Sequence, residues 1–256
     1  MSKEEFNQLK QYILFTYVIA WGTELLLFIM YKGNFIQNSV MSVLHFVIIA
    51  FGAGFAPAYS AFIAKRKYCG WSVKETLRQF WSFKKGKRTF LVLISYAIIQ
   101  LGMCCVLETY SGNPWYLFLL FVPLMILGGG MEEFGWRGIM QPLMERKFPF
   151  LPAMLIQGVL WAFWHLPLWF VPNTSQSNMN FGAFLMYCVV LGCSLSLLYR
   201  CTESVAACVL LHAWGNTTMG GMFTMSALVN PLDIKTVMVY IICVFLYATV
   251  YRIVNE

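Results

Sequence analysis

Runs of about twenty apolar residues recur along this chain with only short polar stretches between them, and a lipid bilayer is the solvent that such a pattern fits. "LFTYVIAWGTELLLFIMY" (14–31) and "TFLVLISYAIIQLGMCCVL" (89–107) are two of them. Of the 256 residues, 59% are hydrophobic and 11% charged, whereas a soluble domain carries about 25% charged side chains. The fold class expected is therefore all-α, a polytopic transmembrane helical bundle of about eight spans. They are placed at 11–31, 39–64, 89–110, 115–145, 150–171, 181–200, 203–226 and 232–253. Pro114, Pro149 and "VPNTSQSNMN" at 171–180 punctuate the chain as turns do. No internal repeat or soluble domain interrupts the pattern, so residues 1–256 read as one integral-membrane domain. Its motif-bearing core covers about 115–226. The opening "MSKEEFNQLK" is polar and mixed in charge, and the first span is expected to act as its own insertion signal.

The net charge of +7 is informative through its placement. Nine of the 18 Lys and Arg fall in residues 65–88, "KRKYCGWSVKETLRQFWSFKKGKR". A basic loop between two spans marks the cytoplasmic face and attracts anionic lipid. With the N-terminus inside, 15 basic residues lie on the cytoplasmic side and only Lys32 and Lys235 outside. The expected partners are thus the lipid bilayer and a membrane-associated substrate, with no nucleic acid. The eight cysteines show no CxxC or zinc-knuckle spacing. Cys104, Cys105, Cys188, Cys193, Cys208 and Cys243 lie in apolar segments and read as small buried residues.

Ionisable groups at bilayer depth are costly, and by default they mark function. Several have bland readings. Glu24 and Glu108 fit a water-exposed or locally paired carboxylate near the outer side, and His45 a hydrogen-bonded core histidine. Glu203, following "RCT", fits a helix start where negative charge suits the dipole. The others converge in depth. At about 1.5 Å rise per residue, Glu132, His165 and Asn216 each lie about 20 Å from the cytoplasmic ends of their spans, and His212 about 14 Å.

Helix geometry assigns these side chains to faces. In "GGGMEEFGWRG" (128–138), Glu133 and Arg137 are four apart and can pair, while Glu132 is turned about 100° away, toward the face of Trp136. His212 and Asn216 share the four-residue spacing, as do Trp161 and His165. A carboxylate and an imidazole sharing a water form a general-base arrangement, and a second imidazole with an amide can donate to an oxyanion. Glycines 128–130 and 135 would let neighbouring backbones or a substrate approach closely. Neither HExxH nor GxSxG occurs.

The pattern resembles the CAAX-protease and bacteriocin-processing (Abi) family of intramembrane glutamic endopeptidases. Its EExxxR motif matches Glu132 to Arg137, its FxxxH motif "WAFWH" with Trp161 in place of Phe and His165 matching, and its HxxxN motif "HAWGN", His212 to Asn216. The resemblance implies peptide-bond hydrolysis of a membrane-associated, prenylated or leader peptide. Glu132 and His165 would activate water, His212 and Asn216 would form the oxyanion hole, and Glu133, Arg137 and Trp161 would support them. It implies no cofactor, and a multi-pass protein of a prokaryotic cell membrane. Two alternatives stay open. Glu132, His165 and His212 form a donor set that zinc accepts, and intramembrane Glu and His also serve transporters, binders or immunity proteins.

Overall fold

The computed structural model describes residues 1–33 and 39–256. Helix α1 (Lys3–Lys32) opens on a capping box, in which the Glu5 N–H donates to the Ser2 hydroxyl and the Ser2 N–H to the Glu5 carboxylate. A second span is built from α2 (Ser39–Ile48), a π-turn over Ile49–Gly54 and α3 (Ala56–Cys69). The buried face of α3, with Ala56, Ala58, Ser60, Ala61 and Ala64, is small enough to let α1 lie close against it. The basic loop contains α4 (Val73–Phe80), capped by a second box from Ser72 and Glu75. Then come α5 (Lys87–Leu107) and α6 (Phe118–Leu127), followed by the interrupted segment α7 (Glu133–Gly135) and α8 (Gln141–Glu145). The chain closes with α9 (Phe150–Trp164), α10 (Phe181–Thr202), α11 (Val205–Thr218), the short α12 (Ser226–Val229) and α13 (Ile234–Asn255). No β-strand occurs among the described residues; two isolated bridges bring Tyr110 and Met219 to Phe223.

Among the described residues, seven helical segments are long and apolar enough to cross a bilayer: Lys3–Lys32, Val43–Cys69, Lys87–Leu107, Trp115–Glu145, Phe150–Phe170, Phe181–Thr202 and Ile234–Asn255. The eighth expected span, 203–226, is shorter than its apolar run suggests. Only the 14 residues of α11 are helical there, and the chain then turns back through a bridge at Met219. Helix α11 is encased by α5, α6 and α10, so its length is set by its neighbours rather than by the bilayer. Helix α10 is likewise buried on almost every side, as expected of a helix that is apolar all round. The outer helices turn large side chains outward, among them Leu25 and Ile29 on α1, Leu91 and Ile98 on α5, and Ile241 and Phe245 on α13.

Polar contacts define two ends. At one, Lys85 pairs with Glu203 at 2.8 Å, Arg200 with Glu145 at 3.2 Å, Arg146 with Glu5, and Arg88 with Asn255. At the other, the His45 Nδ1 meets the Tyr31 hydroxyl at 2.5 Å, and Asn113 Nδ2 donates to the Gly221 carbonyl at 2.8 Å. The Glu108 carboxylate accepts the Ser226 and Ala227 N–H groups at 2.6 and 2.9 Å. His45 and Glu108 are thus partnered as expected.

Three bland readings change. Glu24 is not water-exposed: it is buried, and its Oε2 has no hydrogen-bond partner among the described residues. Glu203 does not start a helix. It ends α10 in a left-handed conformation, with φ 53°, and Ser204 caps α11 by accepting the Ala207 N–H. The hydrogen bond and charge of Lys85 hold the Glu203 carboxyl below its ordinary range. Cys105 is exposed on α5, whereas Cys104, Cys188, Cys193, Cys208 and Cys243 are buried.

Candidate functional site

The segment carrying the two glutamates is not the uninterrupted helix that its apolar run suggests. Pro123 lies inside α6, which ends at Gly128; Gly130–Glu132 form a 3-10 turn, Glu133–Gly135 one α-turn, and Trp136–Met140 a π-turn. Such irregular turns leave backbone groups and side chains aimed where a regular helix would not aim them. Residues 131–141 are buried without exception.

The glycines are needed for contacts within the protein. A Cβ on Gly129 would lie 2.4 Å from Asn216 Nδ2 and 3.3 Å from His212 Nε2. Its φ of 168° is extended backbone, so closeness, not conformation, demands glycine. At Gly130 the neighbour is the Val209 carbonyl (2.9 Å), and at Gly135 it is the Tyr12 hydroxyl (2.4 Å) and the Pro57 carbonyl (2.6 Å). The room these three glycines make is taken by the bundle itself, the first of the two expected uses: neighbouring backbones and side chains, rather than a substrate, approach them. Gly129→Ala is expected to push Asn216 and His212 off their positions. A misplacement of about 1 Å in such a group costs about 100-fold in turnover, and thermal unfolding of the same variant would show whether the fold itself survives.

Glu133 and Arg137 pair as their spacing predicts, with Oε2 to NH1 at 2.9 Å and both side chains buried. The Arg137 NH2 donates to the Gly192 carbonyl of α10 at 3.0 Å. Its guanidinium also lies over the Trp161 ring, 5.7 Å from the centroid. The other oxygen of Glu133 faces His212 Nδ1 at 2.8 Å. One buried carboxylate therefore joins the motif segment to α11, a link that the spacing of neither motif reveals.

Glu132 points elsewhere, as predicted from its face. Its Oε2 accepts the Trp161 indole N–H at 2.7 Å. The departure from the FxxxH motif is thus chemically consequential, since phenylalanine has no such donor. Trp161 also sits edge-on to the His212 ring, with centroids 5.2 Å apart. His165 lies where α9 gives way to a 3-10 turn, Leu166–Phe170. Its Nδ1 lies 2.9 Å from the Trp161 carbonyl. A carbonyl only accepts, so the neutral ring carries its proton on Nδ1 and keeps the Nε2 lone pair free.

These groups share a cavity of 360 Å³ lined by Glu132, Trp161, His165, His212 and Asn216. Tyr187 and Cys188 of α10 line it too. Neither was a sequence candidate, because nothing separates them from the other apolar residues of a buried helix. Among the described residues, no three His, Cys, Asp or Glu side chains are grouped so as to hold a metal ion.

Residues 113–218, which include every candidate site residue, match the family of type II CAAX prenyl endopeptidases described as Rce1-like. Over these residues the chain is similar to the Rce1-like family. A CAAX prenyl protease 2 from Methanococcus maripaludis is 37% identical over 59 residues, which make up 22% of this chain and 22% of that protein. The chain thus matches about a fifth of the length of this curated relative. The matched residues span the interrupted α6–α8 segment, α9, α10 and α11, which carry most of the cavity lining, while Met219, Gly220, Gly221, Met225 and Leu228 line it from beyond them.

Proposed function

We propose that this protein is an intramembrane endopeptidase that hydrolyses a peptide bond of a membrane-associated substrate with a water activated by Glu132 and His165. The observation carrying this reading is the convergence of Glu132, His165, His212 and Asn216 on one cavity. Burial excludes bulk water and strengthens electrostatic interactions inside such a site. His165, with Nε2 unprotonated, is suited to take a proton from water, and Glu132 can orient that water and share its proton. Asn216 offers its amide N–H. The His212 Nδ1 is committed to Glu133, so it donates from Nε2 when it carries the second proton, with Glu133 balancing the charge. Together they provide two donors for the oxyanion of the tetrahedral intermediate.

The test compares membrane peptides from cells carrying the wild type and the His165→Ala variant. The expected result is a precursor that accumulates in the variant and is cut by purified wild-type protein in detergent. That cleavage should persist after chelator treatment, because Glu132 and His165 act on water directly. An unchanged peptidome with folded His165→Ala protein sinks the proposal.

A further inference from the structure

The cavity opens unevenly. Its deep wall, formed by Glu132, Trp161, His212, Cys188 and Leu191, is buried or nearly so. Its exposed lining residues are Ser175, Gly220 and Leu124, with Gln176 and Gly221 half-buried. Ser175 and Gln176 belong to the turn between α9 and α10, and Gly220 and Gly221 to the turn after α11. The two turns are tied at the same end of the bundle by the Asn180 N–H, which donates to the Leu228 carbonyl at 2.8 Å. Leu124 lies on α6, a helix with no buried residue, so one side of the mouth borders lipid.

The opposite end is sealed. Phe134 packs edge-on against Phe62, Phe80 and Trp81, with centroids 6.1, 5.0 and 5.8 Å away. Phe80 lies so close to Gly138 that a Cβ there would be 2.5 Å from its ring. Arg137 fills the space between the motif segment and Gly192. A second cavity, of 320 Å³, does lie at this end, between Glu5, Lys65 and Arg146, but it shares no lining residue with the first. The sealed end is the one carrying the basic loop 65–88 and the four polar ties of Lys85, Arg88, Arg146 and Arg200. By the distribution of Lys and Arg it faces the cytoplasm.

We infer that substrate enters this site from the non-cytoplasmic face, so that its substrates are peptide segments presented outside the cytoplasm. The lining contains no Lys, Arg or Asp, and its mouth is built from Phe121, Leu124, Met125, Met219 and Met225 with uncharged polar residues. The segment it accepts is accordingly apolar and uncharged around the scissile bond, such as an exported peptide or the outer flank of a membrane-anchored precursor. A substrate offered only from the cytoplasm would meet the Phe80–Phe134 plug.

The inference rests on the peptidase reading for its substrate, but its geometry can be tested separately. In a Cys105→Ala background, the exposed native Cys69 reports the basic end and a Gln176→Cys substitution reports the mouth. Intact cells are treated with the membrane-impermeant thiol reagent sulfonatoethyl methanethiosulfonate. Labelling of the Gln176→Cys variant in intact cells is expected, with Cys69 reacting only after permeabilisation. The reverse pattern overturns the inference. In the same treated cells, processing of the precursor that accumulates with His165→Ala should fall at least tenfold relative to untreated Gln176→Cys cells. Full labelling with unchanged processing also overturns it. The labelling pattern does not depend on catalysis, so a failed peptidase reading and a failed entry route give different results.

Discussion

Glu132→Gln should abolish peptide cleavage while leaving the protein folded, with turnover reduced about 10³-fold or more, equivalent to about 4 kcal/mol of transition-state stabilisation. Glutamine keeps the shape of the side chain, and its amide oxygen can still accept the Trp161 indole N–H that meets Glu132 at 2.7 Å. What it loses is the charge, and with it the capacity to take a proton from water. Glu132 is buried and, among the described residues, has no Lys or Arg pairing with it, Arg137 being held by Glu133, so neutralising it should leave thermal stability unchanged or raised. Active sites often carry such a conflict between stability and function. Trp161→Phe supplies the contrast. It restores the aromatic of the FxxxH motif, removes the hydrogen bond to the carboxylate and trims the ring that packs on Arg137 and His212, so a fall of about tenfold is expected. Single-turnover cleavage and thermal melts of both variants decide the matter. A Glu132→Gln protein that cleaves at even a tenth of the wild-type rate removes Glu132 from the chemistry.

Much of this site was legible because each motif is local. A spacing of four on a helix puts Glu133 beside Arg137 whether or not the helix is regular, and the ion pair at 2.9 Å bears that out. Depth was legible too, since the rise per residue is fixed, and the residues placed at similar depth do line one cavity. The joints between motifs were hidden. The Trp161–Glu132 bond spans 29 residues and the His212–Glu133 bond 79, and no periodicity encodes contacts between helices. Hydropathy also reads a buried protein helix and a lipid-facing one alike, which is why α11 looked like a full span. Glu24 escaped for a related reason: its helix looks ordinary, and only packing shows that its carboxylate is enclosed and partnerless on one oxygen.

The His212–Glu133 joint implies the second large effect, at a residue expected to touch no substrate. Arg137 is buried, with Glu133 and the Gly192 carbonyl as its polar partners. Glu133→Gln would leave that guanidinium without a counter-charge, and breaking a buried pair from one side costs about 3–5 kcal/mol. The expected result is a large loss of folded protein and a depressed melting temperature. Removing both charges should behave differently, because apolar or neutral replacement of a whole buried pair is often close to neutral. The Glu133→Gln/Arg137→Met double variant should therefore recover much of the stability. Activity should not recover with it. His212 would still face a neutral amide where it now faces a carboxylate at 2.8 Å. A doubly protonated ring, the form that can donate from Nε2, would then lack its balancing charge. A folded double variant with turnover about 100-fold below wild type would give Glu133 two separable jobs, anchoring Arg137 and holding His212 as a donor. Full activity in that variant would reduce Glu133 to a structural counter-ion.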